Sequence, residues 1–308
     1  MILSLTMNPC LDRYFFIDSL KEDDTIRVNN IMDYPAGKGI DISRAINEMK
    51  GHSVAITLLG GDTGRQIMEM LDEEGVVYST VNLNNNTRTN LILQTNESQY
   101  RFSVPGPSID KIEKNKVLKN IETLLRKGDY LLISGSIPEG LPDDFYYKII
   151  NNANEMRAKV YFDADNELLL KGIKASPWGI KPNLHEFSRL IDKKLDNEEQ
   201  IIKSLRETSE RHSIKDILLT MGKDGAICLI EDSIFKVSVP KVDVDSAVGA
   251  GDTFMGIYCM FRETGNEPKY CLKMAGATST AATLTSGTEL CKYDDVKKLV
   301  DKIIVERL

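Results

Sequence analysis

The chain has 308 residues, 42% of them hydrophobic, with 46 acidic against 39 basic side chains and a net charge of −7. That apolar fraction fills a substantial core and excludes a disordered chain, while the acidic balance, with no dense Lys/Arg patch, excludes nucleic acid as the main partner. The start MILSLTMNPC has no basic stretch leading into an apolar core, and no segment approaches the ~20 apolar residues of a membrane span, so a cytoplasmic protein without a membrane partner is expected.

In chain order, ILSLTM (2–7) reads as a buried strand and KGIDISRAINEMK (38–50) as a helix. SVAITLLGG (53–61) and TGRQIMEMLDEEG (63–75) repeat that pair. KNKVLKNIETLLRKG (114–128) predicts a helix, DYLLISG (129–135) a strand, DDFYYKIINNANEM (143–156) a helix and KVYFDAD (159–165) a strand. WGIKPN (178–183), NEEQIIKSLRETSERH (197–212) and DILLTMG (216–222) continue as strand, helix and strand. The helical patterns carry apolar residues at three- and four-residue spacing, one face of a buried helix. Alternating strands and helices imply crossover units: a three-layer α/β/α fold with a mostly parallel central sheet, whose ligands gather beyond the C-terminal strand ends.

Four other segments, DRYFFID (12–18), IRVNNIMDY (26–34), TNLILQT (89–95) and QYRFSV (99–104), alternate, carry aromatics and lack helices between them. They predict a small antiparallel sheet set against the main one. With no internal repeat and no single linker, the organisation expected is one domain over 1–308 with lid segments near 12–35 and 88–106. Five scattered cysteines (Cys10, Cys228, Cys259, Cys271, Cys291) with no CxxC pair read as reduced thiols.

Chemistry concentrates at two glycine turns. In DSAVGAGDTFMGIYCMF (245–261), Gly249, Ala250 and Gly251 precede an apolar stretch of helical length. Backbone N–H groups exposed at a helix start form an anion site, and glycines let a phosphate approach closely. Asp252 beside an anion needs a separate task, and accepting a proton from an attacking hydroxyl is one. The bland alternative is a tight turn with Asp252 as a helix cap. In YPAGKGIDISRAI (34–46), Lys38 between glycines is a cation beside open backbone, suited to an anionic or polyhydroxylated ligand, or else a solvated turn lysine. This second stretch fits neither the phosphate loop of GxxxxGK[ST] nor the GxGxxG dinucleotide pattern.

Together AGKGIDISRAI and SAVGAGDTFMG resemble the two signature regions of the PfkB (ribokinase-like) carbohydrate kinases. MNPCLDR (7–13), TRTN (87–90), VPGP (104–107), SGSIPEGLP (134–142), KPNLHE (181–186), TMGKDGA (220–226) and SGT (286–288) follow in that family's order, so the resemblance spans the chain. NPxxDR, TRxN, PGP and SGSxPxGLP point to the branch acting on sugars that already carry a phosphate.

The resemblance implies a ribokinase-like fold with a β lid, ATP and Mg²⁺ as cofactors, and Asp252 as catalytic base with Gly249, Ala250 and Gly251 as anion hole. It implies Asp12 as the holder of sugar hydroxyls, with Gly37, Asp41 and Asn90 in the same sugar site. Lys38 and Arg88 would face the substrate's existing phosphate, helped by Arg27 and Ser136. Asn183 and Glu186 would organise Mg²⁺ through water, although an Asn followed by Glu three residues on is also a helix capping box. Thr220, Gly222, Gly225, Ser279 and Gly287 would line the path of ATP.

Three positions depart from the family's pattern. Ala36 replaces a hinge glycine, Asp41 stands where Asn is common, and Ala247 replaces a Thr, removing a hydroxyl. A carboxylate at position 41 would repel a nearby substrate phosphate. The activity implied is ATP-dependent phosphorylation of a ketohexose phosphate, first fructose 1-phosphate to fructose 1,6-bisphosphate, with tagatose 6-phosphate or fructose 6-phosphate as alternative acceptors. An unphosphorylated acceptor would leave Arg88 and Lys38 without a purpose, and a non-catalytic sugar-phosphate-binding regulator would not need Asp252. Exposed lid edges suggest a homodimer paired through the lid.

Overall fold

The computed structural model describes residues 1–308. Ten strands form the main sheet in the order Ile304–Arg307, Ser233–Ser238, Ala226–Ile230, Asp216–Thr220, Gly179–Ile180, Lys159–Asp163, Tyr130–Ser134, Ile2–Thr6, Val54–Gly60, Tyr78–Leu83. From Asp216–Thr220 through to Tyr78–Leu83 all neighbours run parallel. The other three strands are added antiparallel at one edge.

The central strands read as unbroken apolar runs because both their faces are covered. Successive residues serve opposite cores: Leu131 and Ile133 join one cluster, Tyr130 and Leu132 the other. The first cluster is closed by helices that include Lys111–Leu124, Phe145–Glu155 and Glu198–His212, the second by Lys38–Glu48, Ala250–Glu263 and Pro268–Ala282. This is the three-layer arrangement that the alternating pattern predicts. Elements outside the segments read from the sequence include the strands Tyr78–Leu83, Ala226–Ile230 and Ile304–Arg307 and the helices Asn166–Gly172, Leu184–Leu190 and Tyr293–Leu299.

The second sheet has four strands in the order Asn30–Ala36, Cys10–Phe16, Arg88–Gln94, Gln99–Phe102. Its outer pairs are antiparallel, but its central pair, Cys10–Phe16 with Arg88–Gln94, is parallel, so the sheet is mixed where an antiparallel one was expected. The cause is the route of the chain. Both central strands follow strands of the main sheet, Ile2–Thr6 and Tyr78–Leu83, that run in one direction, and both leave that sheet from its C-terminal edge. A crossover that passes through helices joins them, which is the connection parallel pairing requires.

Register then divides the small sheet by residue parity. Tyr14, Tyr34 and Ile92 are buried together on one face, which also carries Asp12. The opposite face carries Ile31, Tyr100 and Phe102, all exposed.

Candidate active site

The C-terminal ends of the parallel strands deliver polar residues to one cleft: Thr6, Ser134, Asp163, Lys181 just past its strand, and Thr220. The cleft has two chambers. One, of about 830 Å³, lies beneath the small sheet and is lined by Asp12, Gly37, Lys38, Asp41, Arg88 and Ser136, among others. The other, of about 1080 Å³, is lined by Thr220, Gly222, Gly225, Asn183, Ser279 and the Ala250–Gly251 turn, among others. Lys38, Glu186, Gly249 and Asp252 line both. The two glycine turns therefore converge on one neck.

At the neck, Gly249 is left-handed (φ 76°) and caps the helix Ala250–Glu263 without any side-chain bond. A Cβ at this residue would stand 2.4 Å from Leu290 Cδ2, so both conformation and space require glycine. The first N–H groups of a helix have no intrahelical acceptor, and no side chain takes that role here. Asp252 follows in the first turn, 7% exposed, and Ser134 Oγ donates to its Oδ1 at 3.4 Å. Burial pushes its carboxyl up to about 6, with Lys38 and Lys181 holding it down and Asp163 pushing it further up. A carboxylate tuned this close to neutrality is suited to accept and return a proton.

Two residues of this neck went unassigned at the level of sequence, Asp163 and Lys181. Asp163, 1% exposed, lies 3.1 Å from Lys38 Nζ through one oxygen and 3.0 Å from Lys181 Nζ through the other. Burial opposes its charge, yet Lys181 and Lys38 keep its carboxyl below the usual carboxylate range. Burial would likewise lower the Lys38 ammonium, but Asp163 and Asp252 hold it above the usual lysine range. Lys38 is thus turned into the neck, its stem along Gly135, and is engaged with Asp163 where a position facing the substrate's own phosphate was expected. Gly37, with φ 133° and Thr6 Cγ2 within 2.7 Å of where a Cβ would stand, sets this turn of the chain onto the end of the first strand. The signal for both missed residues was their place just at or after a strand's C-terminal end.

The small-sheet side of the larger motif set is built by register. Cys10 and Asp12 pair with Arg88 and Asn90 across the parallel strands. Asn90 Nδ2 donates to Asp12 Oδ1 at 2.9 Å and the Cys10 thiol donates to the same oxygen at 3.3 Å, which holds Asp12 as a hydrogen-bond acceptor. Asn90 does not line the chamber itself; it braces Asp12. Arg88 donates to the carbonyls of Asn8 (2.9 Å), Pro9 (3.4 Å) and Val104 (2.9 Å) and has no acidic partner. Its charge is therefore free for an anion, and Ser136, bonded to Asn8 Nδ2 at 3.0 Å, lines the same chamber.

Two further residues expected at the site line neither chamber. Arg27 is exposed in the segment between the first two strands of the small sheet and lines neither chamber. Gly287 also lies outside both: the loop after Pro268–Ala282 folds back, and a Cβ there would stand 2.9 Å from Tyr34 and 3.0 Å from Tyr14, under the small sheet. Ser279 does line the larger chamber and donates to the Ala250 carbonyl at 2.9 Å. Ala247 lines it too, and a hydroxyl for that loop comes from its neighbour Ser246, whose Oγ accepts from Val248 N at 3.3 Å.

Asn183 and Glu186 form a reciprocal capping box, Asn183 Oδ1 accepting from Glu186 N at 2.9 Å and Glu186 Oε2 from Asn183 N at 2.8 Å. The cap engages only one oxygen of Glu186, which lines both chambers. No group of three or more His, Cys, Asp or Glu gathers as a metal cage. Such a donor set fits a hard divalent ion that keeps water and phosphate oxygens in most of its coordination positions.

The profile described as "pfkB family carbohydrate kinase" matches residues 5–295. The chain is 30% identical over 307 residues to a 1-phosphofructokinase of Borreliella burgdorferi, covering 99% of this chain and 98% of that protein. The crystal structure of phosphofructokinase-2 from Escherichia coli in complex with fructose-6-phosphate superposes with a TM-score of 0.91 at 27% identity, over 98% of each chain. Arabidopsis thaliana ribokinase, complexed with ribose and ATP, shares the fold with a TM-score of 0.76 at 20% identity, over 97% of this chain and 98% of that one.

Proposed function

The chain belongs to the pfkB family of carbohydrate kinases and is an ATP-dependent sugar-phosphate kinase, and we propose that its acceptor is fructose 1-phosphate, converted to fructose 1,6-bisphosphate. The observation that carries this reading is the pair of chambers meeting at Asp252. ATP enters the chamber lined by Thr220, Gly225 and Ser279, and the sugar phosphate enters the one under the small sheet, which acts as a lid. Asp12 accepts from a sugar hydroxyl, and Arg88 with Ser136 takes the existing phosphate, the guanidinium charge, unpaired by any acid, suiting it to that anion.

Transfer then needs positioning and charge neutralisation more than covalent chemistry. Asp252 takes the proton of the acceptor hydroxyl as its oxygen bonds to the γ-phosphorus and the bond from that phosphorus to ADP breaks. The free amides after Gly249 receive charge on the transferring group, and Lys38 and Lys181 supply positive potential beside it. Glu186 and Asn183 would hold Mg²⁺ through water, and the ion would supply neutralisation of nucleotide phosphate charge. The choice of fructose 1-phosphate rests on the Borreliella relative.

An ADP-release assay across fructose 1-phosphate, fructose 6-phosphate, tagatose 6-phosphate, fructose and ribose tests the proposal. The highest kcat/KM is expected on fructose 1-phosphate. A higher value on either 6-phosphate would move the acceptor, and preference for free ribose or fructose would remove the phosphate site. Arg88→Ala is expected to raise the sugar-phosphate KM by ~10–100-fold, the loss of a charge-assisted contact, while the KM for ATP changes less than about threefold. Equal effects on both ligands would take Arg88 out of the sugar-phosphate chamber.

Two copies are proposed to pair through the lid. Its outward face shows Ile31, Tyr100 and Phe102, 54%, 43% and 52% exposed, an apolar surface that a monomer would leave to water. Sedimentation at micromolar concentration should report a dimer that Phe102→Asp weakens. A parent protein that sediments as a monomer would refute the pairing.

A further inference from the structure

Seven acidic residues line the sugar chamber, and the three that meet around its floor, Asp12, Asp41 and Asp252, are not equivalent. Asp12 receives two donors at one oxygen and so is built to accept. Asp252 receives Ser134 and lies within reach of the charged neck. Asp41 is only 4% exposed, yet its Oδ1 is buried with no hydrogen-bond partner while the residue lines the chamber. An orphaned oxygen on a buried carboxylate would carry a large desolvation cost.

The nearest cation does not relieve it. Arg44 NH1 lies 3.8 Å from Asp41 Oδ1, beyond hydrogen-bond range. Both NH1 hydrogens are already given away, to the Pro35 carbonyl at 3.2 Å and the Thr288 carbonyl at 2.7 Å, while Nε and NH2 bind Glu74 at 2.6 and 2.7 Å. Lys38, one turn earlier on the same helix, is engaged with Asp163. The other groups facing Asp41 are acidic or neutral: Asp12 and Cys10 from the small sheet and Asp252 from the later helix, with the Gly37 backbone as a minor donor. Burial, then the charge of Asp252, pushes the Asp41 carboxyl well above the usual carboxylate range, with Arg44 only partly opposing.

We propose that Asp41 is a substrate-binding hydrogen-bond donor: it meets the sugar as a neutral carboxylic acid whose O–H points to a substrate oxygen, opposite the acceptor Asp12. A sugar hydroxyl can both give and take a hydrogen bond, so a donor and an acceptor on the same chamber wall fix its orientation. The repulsion expected of a carboxylate beside the substrate phosphate is then absent. Deprotonation at higher pH removes the donor and adds a negative charge to the chamber. Sugar affinity therefore falls as pH rises, and ATP affinity does not follow.

This inference rests on the sugar-phosphate kinase reading, and its test separates the two. The KM for fructose 1-phosphate, measured upward from neutral pH through the range in which the protein stays folded, is expected to rise on the alkaline side in the parent, each pH unit beyond loss of the proton weakening binding up to about tenfold. In Asp41→Asn the amide keeps its donor at every pH, and the rise should shrink to less than about twofold, the KM for ATP serving as internal control. An infrared difference spectrum, parent minus Asp41→Asn, should contain the C=O stretch of a protonated carboxyl at neutral pH without substrate. An equal KM rise in both proteins, or no such band, overturns the role of Asp41. Absence of turnover on every sugar phosphate would instead overturn the activity, and the infrared band would then decide by itself whether Asp41 holds its proton.

Discussion

Asp252→Asn is expected to lower kcat by ~10²–10⁴-fold, the loss usual for a general base, with KM values for ATP and sugar phosphate within about threefold of the parent. The substitution keeps shape and leaves the Gly249 turn in place, but an amide cannot accept a proton at neutral pH. The same residue predicts the acid side of the parent's pH profile. Its carboxyl, pushed up to about 6 by burial, must be ionised to act, so kcat is full above that pH and is lost as pH falls through about 6. Activity within a few-fold of the parent in the Asn variant would remove Asp252 as the base. An acid limb that persists unchanged in the residual activity of that variant would assign the titration elsewhere.

The second large effect is expected at Asp163, where one carboxylate stands between two ammonium groups. Taking one partner out of a buried ion pair costs ~3–5 kcal/mol because the remaining charge stays desolvated. Lys181 is 6% exposed at its side chain and would bear that cost, whereas Lys38, at 37%, recovers some water. Asp163→Asn should therefore lower the urea midpoint by the equivalent of about 3 kcal/mol. It should also act on Asp252, whose carboxyl the charge of Asp163 pushes up. With that charge gone and two cations less occupied, the acid limb of kcat moves below about 6. A purely structural role for Asp163 would lower stability and leave the limb in place, so the pH profile separates the two.

The charges of the neck are close to balanced before any ligand arrives. Lys38 and Lys181 face Asp163, Asp252 when ionised, and Glu186. Protonation of Asp252 by the acceptor hydroxyl leaves the neck one unit more positive as the anionic phosphoryl group passes. Preorganised charge of this kind does not have to reorganise during the reaction.

The amino-acid sequence by itself determined the elements with a strong local pattern. Continuous apolar runs such as ILSLT and YLLIS specify strands buried on both faces, and the helical spacing of the segments between them specifies what covers those faces. The turn Gly249–Gly251 before Asp252 was legible because a helix start with bare amides is a local object. Tertiary structure alone decided the contacts between distant segments. Parallel pairing of Cys10–Phe16 with Arg88–Gln94 follows from where two strands leave the main sheet, and it is this register that brings Asn90 to Asp12. Lys38 turns to Asp163 because a buried carboxylate from another strand attracts it, while Arg27 and Gly287 are carried away from the cleft by the path of their loops. The protonation of Asp41 and the tuning of Asp252 belong to the same class. Both arise from desolvation and from charges on other elements, and a one-dimensional pattern records neither distance nor burial.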